Sequence, residues 1–255
     1  MTPTVRARLR QAFQHHCVDT STPNYEQYVR SIEQLLHLPG QEQVVYMVCD
    51  NLNYRILYAS DSVALFGFAI TNPTDLAQYQ ALTAPEHSEY NYLSDLWHLS
   101  LHERLAPAER THIQAVHCGI KFRRANGRLG RLLAISHFVD PDINNHPRVV
   151  LVIMQDVAHL YKGNHYWLRA TFGEARQRVF HYLSHQGRTL EQDMLSARER
   201  EVLRWLDEGL DSKEVGVHLG ISAETVQQHR RNMLNRTGAR DTTALLQLAR
   251  WCSLL

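Results

Sequence analysis

Apolar positions change their spacing several times along this chain, and each change marks an element. Leu9 and Phe13 lie four apart, and Tyr28, Ile32, Leu35 and Leu36 resume that spacing after Pro23-Asn24. This predicts helix over residues 5–37, closed by Pro39-Gly40. From Val44 to Cys49 and from Tyr54 to Tyr58 the residues become β-branched and aromatic. Asp50-Asn51-Leu52-Asn53 between them is turn chemistry, so a hairpin is expected. Ser60 to Phe68 reads as a short helix closed by Gly67, and Leu93 to Arg104 as a longer one between Pro85 and Pro107. Val116–Arg124, Leu129–Val139 and Arg148–Val157 read as three further strands, the first two joined by Asn126-Gly127. Five strands with interposed helices predict an α+β domain. Beyond them Leu168, Phe172, Ala175, Val179 and Leu183 recur at steps of three and four, which predicts a helix over residues 165–185, broken at Gly187-Arg188-Thr189.

From residue 196 the local signals sharpen. Ser196-Ala197-Arg198-Glu199 and Asp211-Ser212-Lys213-Glu214 are capping boxes, each opening a helix. Gly209 ends the first of these helices and Gly220 the second. Ser222 caps a third, running to about Arg236, and Asp241 a fourth. Gly216, Gly220 and Val226 have the spacing of a helix-turn-helix: a small residue at a close crossing, a glycine for a positive φ, then a core anchor. A generic four-helix bundle shares part of that pattern. The third helix separates the two, because Val226 and Met233 must face a core and so turn Gln227, Gln228, Arg231 and Asn235 outward. Glutamine matches the N6/N7 edge of adenine and arginine the O6/N7 edge of guanine. Arg230 and Arg236 flank that face, and the amides near Ser222 and Thr225 lie at a helix N-terminus, which attracts phosphate. Glu224 opposes such attraction.

Composition sets outer bounds. The chain has 255 residues, 44% apolar and 21% charged, with a formal net charge of +1. That is an ordinary globular balance, long enough for two modest domains. The longest aliphatic run, Val149 to Met154, is far short of the ~20 residues that span a bilayer. Arg6, Arg8 and Arg10 have no apolar stretch behind them, so no signal peptide is read. Cys17, Cys49, Cys118 and Cys252 are scattered without a C-x-x-C pair and read as buried filler. A cytoplasmic location without membrane contact is expected. Residues 195–255 hold nine basic and eight acidic side chains, so any nucleic-acid surface is a local patch. No phosphate-binding glycine loop, nucleophile elbow or metal-ligand spacing occurs, and no enzyme activity is expected.

Residues 195–255 (Leu-Ser-x-Arg-Glu-x-Glu-Val-Leu, Glu-Gly-Leu, Lys-Glu-Val, Leu-Gly-Ile-Ser, Thr-Val-x-x-His) resemble the DNA-binding domain of LuxR-type transcription regulators. The family's hallmark Glu, Leu and Gly match Glu199, Leu203 and Gly209. The resemblance implies base reading by Gln227, Gln228 and Arg231. It implies phosphate contacts at Thr225, His229 and Arg236, to which the residue reading adds Ser222 and Arg230. It also implies a homodimer seam on the fourth helix, matching the stripe Leu245, Leu248, Cys252 and Leu255. The family often has Lys or Arg where Glu224 stands, and leucine where Thr237 stands. Asp50 to Phe68, together with Phe122-Arg-Arg-Ala-Asn-Gly-Arg and Val150-Leu-Val-Ile-Met-Gln-Asp-Val, resembles a PAS domain, implying a five-stranded antiparallel sheet with helices that senses a small molecule or a protein partner. No cofactor is expected. His98 and His102, four apart on one helix, are the candidate haem or metal ligands, against the plainer reading of a His-rich chain with 16 histidines.

The expected organisation is an N-terminal helical segment (1–40), a PAS-like sensor (41–160), a helical connector (161–194) and a helix-turn-helix domain (195–255). The function expected is sequence-specific regulation of transcription on double-stranded DNA by a dimer. A helical protein-interaction module, or a haem or small-ligand sensor with another output, is the alternative.

Overall fold

The structure, a computed structural model, describes residues 24–36, 41, 43–51, 53, 55–67, 74–75, 83–141, 147–174, 176 and 178–255. Leu9, Phe13 and Cys17, and with them the first part of the expected N-terminal helix, lie outside the described residues.

Alternating apolar runs become strands where turn residues let the chain reverse. The carboxylate of Asp50 accepts hydrogen bonds from the Asn53 amide (2.9 Å) and side chain (2.8 Å), closing the hairpin between β1 (Val45–Asp50) and β2 (Arg55–Ala59). A 3-10 turn over Asp61–Phe66 follows and stops at Gly67, whose φ is 87°. After the short β3 (Thr74–Asp75) come a 15-residue helix and three long strands. In chain order the helices of this half are α1 (Glu26–Leu36) and α2 (Tyr90–Arg104). The long strands are β4 (Gln114–Arg123), β5 (Leu129–Pro141) and β6 (Pro147–Asp156). Gly127, at φ 76°, turns β4 into β5.

The sheet does not end there. Residues 165–185, expected to be helical, form β7 (Trp167–Phe172) and β8 (Arg178–Leu183), and β9 (Arg188–Leu190) follows. The connector is therefore an extension of the sheet, which among the described residues has nine strands in the order β3-β2-β1-β6-β5-β4-β7-β8-β9, not five. The physical reason is parity. A step of four places two residues on one face of a helix and equally on one face of a strand. Leu168 and Phe172 share one face of β7, and Val179 and Leu183 share the opposite face of the sheet on β8. All six residues of β7 are buried, so the polar half of the alternation is missing.

Each face of this sheet has its own cover. On one face α2 packs through Trp97, Leu101 and Leu105 against Met47, Ile120, Phe122, Leu168 and Phe180. On the other face α1 lays Ile32 over Tyr46, Val48 and Val149 at one end. At the far end of that second face sits a bundle of four helices, α3 (Ala197–Asp207), α4 (Ser212–Leu219), α5 (Ala223–Thr237) and α6 (Thr242–Trp251). Its core is continuous with Val116, Cys118, Leu133 and Trp167 of the sheet. β4 and β5 thus carry two interiors on alternate residues. His117 and Ala134 pair on the α2 side, and Cys118 and Leu133 pair on the bundle side.

Candidate nucleic-acid interface

The bundle's second and third helices are set by four local devices. The Asp211 carboxylate accepts from the Lys213 and Glu214 amides (2.7 and 2.9 Å), and Glu214 accepts in return from the Asp211 amide (2.8 Å). At Gly216 a Cβ would stand 2.7 Å from the Ile221 carbonyl oxygen, so only glycine lets the chain cross this closely. Gly220 takes a left-handed φ of 64° to make the turn. Ser222 Oγ then accepts from the Thr225 amide at 3.1 Å and starts α5.

Val226 and Met233 are 0% exposed and orient α5. Gln227, Gln228 and Arg231 are exposed on its other side, as expected. Two of them are linked: Arg231 Nη2 donates to Gln228 Oε1, and Gln228 Nε2 donates on to Asn232 Oδ1, both at 2.8 Å. Asn232 was missed from sequence; its place four residues after Gln228 was the available signal. Ser222 and Thr225 are exposed at the start of α5, and His229 is half-buried. Glu224 lies over the same helix end. Its own amide and the Ser222 hydroxyl hold its carboxyl below the ordinary range, so it occupies donors that an incoming phosphate would use.

Residues 193–249 match the family described as bacterial regulatory proteins, luxR family. The C-terminal domain is a LuxR-family helix-turn-helix. The transcriptional activator protein PhzR of Pseudomonas fluorescens is 46% identical over 44 residues, 17% of this chain and 18% of its own length. The transcriptional regulatory protein UhpA of Salmonella typhimurium is 41% identical over 54 residues, 21% of this chain and 28% of its own. The chain therefore spans less than a third of these relatives where it matches them. Among solved structures, the Vibrio cholerae VqmA dimer without target DNA aligns over 87% of this chain and 86% of its own at 17% identity. Its TM-score of 0.30 is too low to establish a shared fold.

Inside the LuxR-type domain Arg230 and Arg236, expected at phosphates, have internal partners. Arg230 donates to Ser212 Oγ (2.8 Å) and Thr242 Oγ1 (2.6 Å), tying α5 to the starts of α4 and α6. Arg236 Nη1 donates to the Met194 carbonyl (2.6 Å) and to Glu199 (2.7 Å), whose side chain is 5% exposed. Burial pushes the Glu199 carboxyl up, but Arg236 and the Ser196 amide more than offset this and hold it below its ordinary value. The residues of the expected dimer seam pack within the chain itself. Leu245, Leu248 and Cys252 are 0% exposed inside this chain's own core, and Leu255 is half-buried against it. The stripe is apolar because α6 packs on α3, α5 and toward the sheet.

The far end of α5 is held by the sheet itself. Trp167 Nε1 donates to the Thr237 carbonyl (2.9 Å), and the Lys162 and Gly163 amides donate to the Gly238 carbonyl (2.8 and 3.1 Å). The Tyr161 ring fills the space over two glycines: a Cβ at Gly119 or at Gly238 would come within 2.4 Å of it. Arg169, 3% exposed, holds Asp193 through two bonds of 3.0 and 3.1 Å, and Arg200 of α3 adds a third at 3.0 Å. None of this docking was read from the sequence, since it joins residues more than seventy positions apart.

His98 and His102 both line one cavity of about 130 Å³ under α2. An apolar cavity of about 150 Å³ holds one benzene, so this space suits a single ring and does not fit a haem macrocycle. Among the described residues no three His, Cys, Asp or Glu side chains converge as a metal set. No helix among them is long and apolar enough to cross a membrane.

Proposed function

We propose that this chain is a sequence-specific DNA-binding regulator of transcription, acting as a homodimer in the cytoplasm and responding to a signal received on its sheet domain. The observation that carries the reading is the set Gln227, Gln228 and Arg231, exposed on one side of α5 while Val226 and Met233 are fully buried on the other. Arg231 would grip guanine and the two glutamines adenine. Ser222, Thr225, His229 and the first amides of α5 would take backbone phosphates, with Arg230 and Arg236 stiffening the helix behind them. Two such helices one turn of duplex apart, about 34 Å, would read a palindromic site. Because the α6 stripe is occupied, pairing uses another surface or follows release of α6 from the sheet. The PAS-like reading of residues 41–160 is supported by β2, β4 and β6, which hold parts of the resembling segments in one sheet, and by the cavity between that sheet and α2.

The test is selection by the full chain from a randomised duplex pool, followed by titration of the enriched sequence at several salt concentrations. An enriched guanine–adenine motif, bound 10- to 100-fold less tightly by Arg231→Ala, is the expected result. Equal binding to every duplex, or none at low salt, would sink the reading in favour of a protein-interaction module.

A further inference from the structure

The cavity beneath α2 combines apolar walls with three imidazoles, those of His98, His102 and His117. Met47, Ala134, Phe138, Val150 and Val152 line it. His98 and His117 line it too, stacked with ring centroids 5.1 Å apart. The His98 Nδ1 lies 2.8 Å from the Ser94 carbonyl oxygen, which can only accept. Nδ1 therefore carries the proton, and Nε2 of the neutral ring keeps a lone pair. Burial pushes His98 down to about 4 and His117 well below its ordinary value, so both rings are neutral near pH 7. The Tyr90 hydroxyl meets His117 Nδ1 at 2.5 Å and fixes that ring. The Nε2 atoms of His98 and His117 are buried without a hydrogen-bond partner. Buried polar atoms nearly always have one, and here both exceptions fall on residues that line one space.

We infer that this cavity receives a neutral, single-ring organic molecule whose hydrogen-bond donor is taken by His98 Nε2, with His117 as the second polar contact and the apolar walls around the ring. The inference rests on the sensing half of the proposed function and names its ligand class. Size sets the single ring, as above. The polarity follows from the walls: the uncharged His98 and His117 offer an anion no charge, and the acidic residues of the lining, Asp50 and Asp95, repel one. Occupancy has a short route to the LuxR-type domain. His117 and Ala134 face the cavity, while their neighbours Cys118 and Leu133 belong to the core shared with the helices.

The experiment uses the full chain carrying ¹⁵N-histidine at pH 7, with phenol, toluene, benzoate and benzylamine as probes. Phenol is expected to raise the melting temperature and move the His98 Nε2 resonance toward a hydrogen-bonded value. Toluene should bind at least tenfold more weakly, and benzoate and benzylamine more weakly still. His98→Phe should abolish the preference for phenol over toluene; if that variant does not fold, the shift in the unsubstituted protein decides. Equal binding of toluene and phenol, phenol binding that leaves His98 unmoved, or a cavity that takes only water overturns the inference. So does a preference for either charged probe. A duplex titration of the same preparation separates the two readings: lost DNA recognition with retained phenol binding counts against the DNA reading alone.

Discussion

Helix α5 is one continuous helix with two different surroundings. Its first ten residues turn Gln227, Gln228, Arg231 and Asn232 to solvent and bury only Val226 among its side chains. Its last residues are enclosed: Met233 and Thr237 are 0% exposed, Thr237 and Gly238 accept hydrogen bonds from the sheet domain, and Arg236 is paired inside the bundle. The difference separates a surface that must stay adaptable from an anchor that must not move. A rigid rear turn lets a short polar face be presented in one orientation, which is what reading base edges needs.

Substitutions at the anchor should unfold or undock, and substitutions on the exposed face should leave the fold intact. Tyr161→Ala removes the ring packed between Gly119 and Gly238. A loss of roughly 3–5 kcal/mol is expected, as for other buried aromatics, with faster amide exchange across residues 237–252. If exchange there is unchanged, the docking is not held by Tyr161. Arg236→Ala leaves the Glu199 carboxylate buried without its cation and should cost about 3 kcal/mol, the low end for breaking a buried pair. Chemical denaturation of the full chain measures it.

The same junction gives a pH signature. Asp193 resembles Glu199: burial pushes its carboxyl up, but Arg169, the Met194 amide and Arg200 bring it below the ordinary value. Groups with depressed folded values contribute stability above their unfolded values, about 3.9 for Asp and 4.3 for Glu, and lose it as pH falls through the folded ones. The melting temperature should therefore hold from about pH 6 to 5 and drop below about 4. Arg236→Ala should flatten that drop, since Glu199 then has no cation to lose. A drop of equal size in the variant would contradict the pairing.

On the exposed face, Arg231→Ala should cost about 1–3 kcal/mol in binding to the preferred duplex while moving stability by less than about 0.5 kcal/mol. A large loss of stability would mean that Arg231 belongs to the anchor. The smallest effect is expected from Glu224→Gln. Removing a carboxylate from the α5 N-terminus should strengthen binding to all duplexes alike at low salt, visible as small parallel shifts in titrations. An effect on one sequence only would place Glu224 at a base.

What could be read beforehand divides along the same line. The caps at Ser196, Asp211, Ser222 and Asp241, the turn glycines and the Val226–Met233 spacing act within a few residues, so the four helices and the outward face of α5 were legible. The hairpin at Asp50–Asn53 and the turn at Gly127 were legible for the same reason. Leu168, Phe172, Val179 and Leu183 were not, because a step of four fits helix and strand alike. Arg236 and the Leu245–Cys252 stripe were visible as a cation and an apolar seam, but their partners were not.

By itself the amino-acid sequence determined the LuxR-type domain, since local hydrogen bonds and glycine conformations settle each of its helices. Only the tertiary structure decided that residues 167–190 extend a sheet, that α6 is covered by its own chain, and that His98 and His117 share a cavity. Those outcomes depend on which surfaces meet across long separations, where burial is a property of the pair and no single segment records its partner.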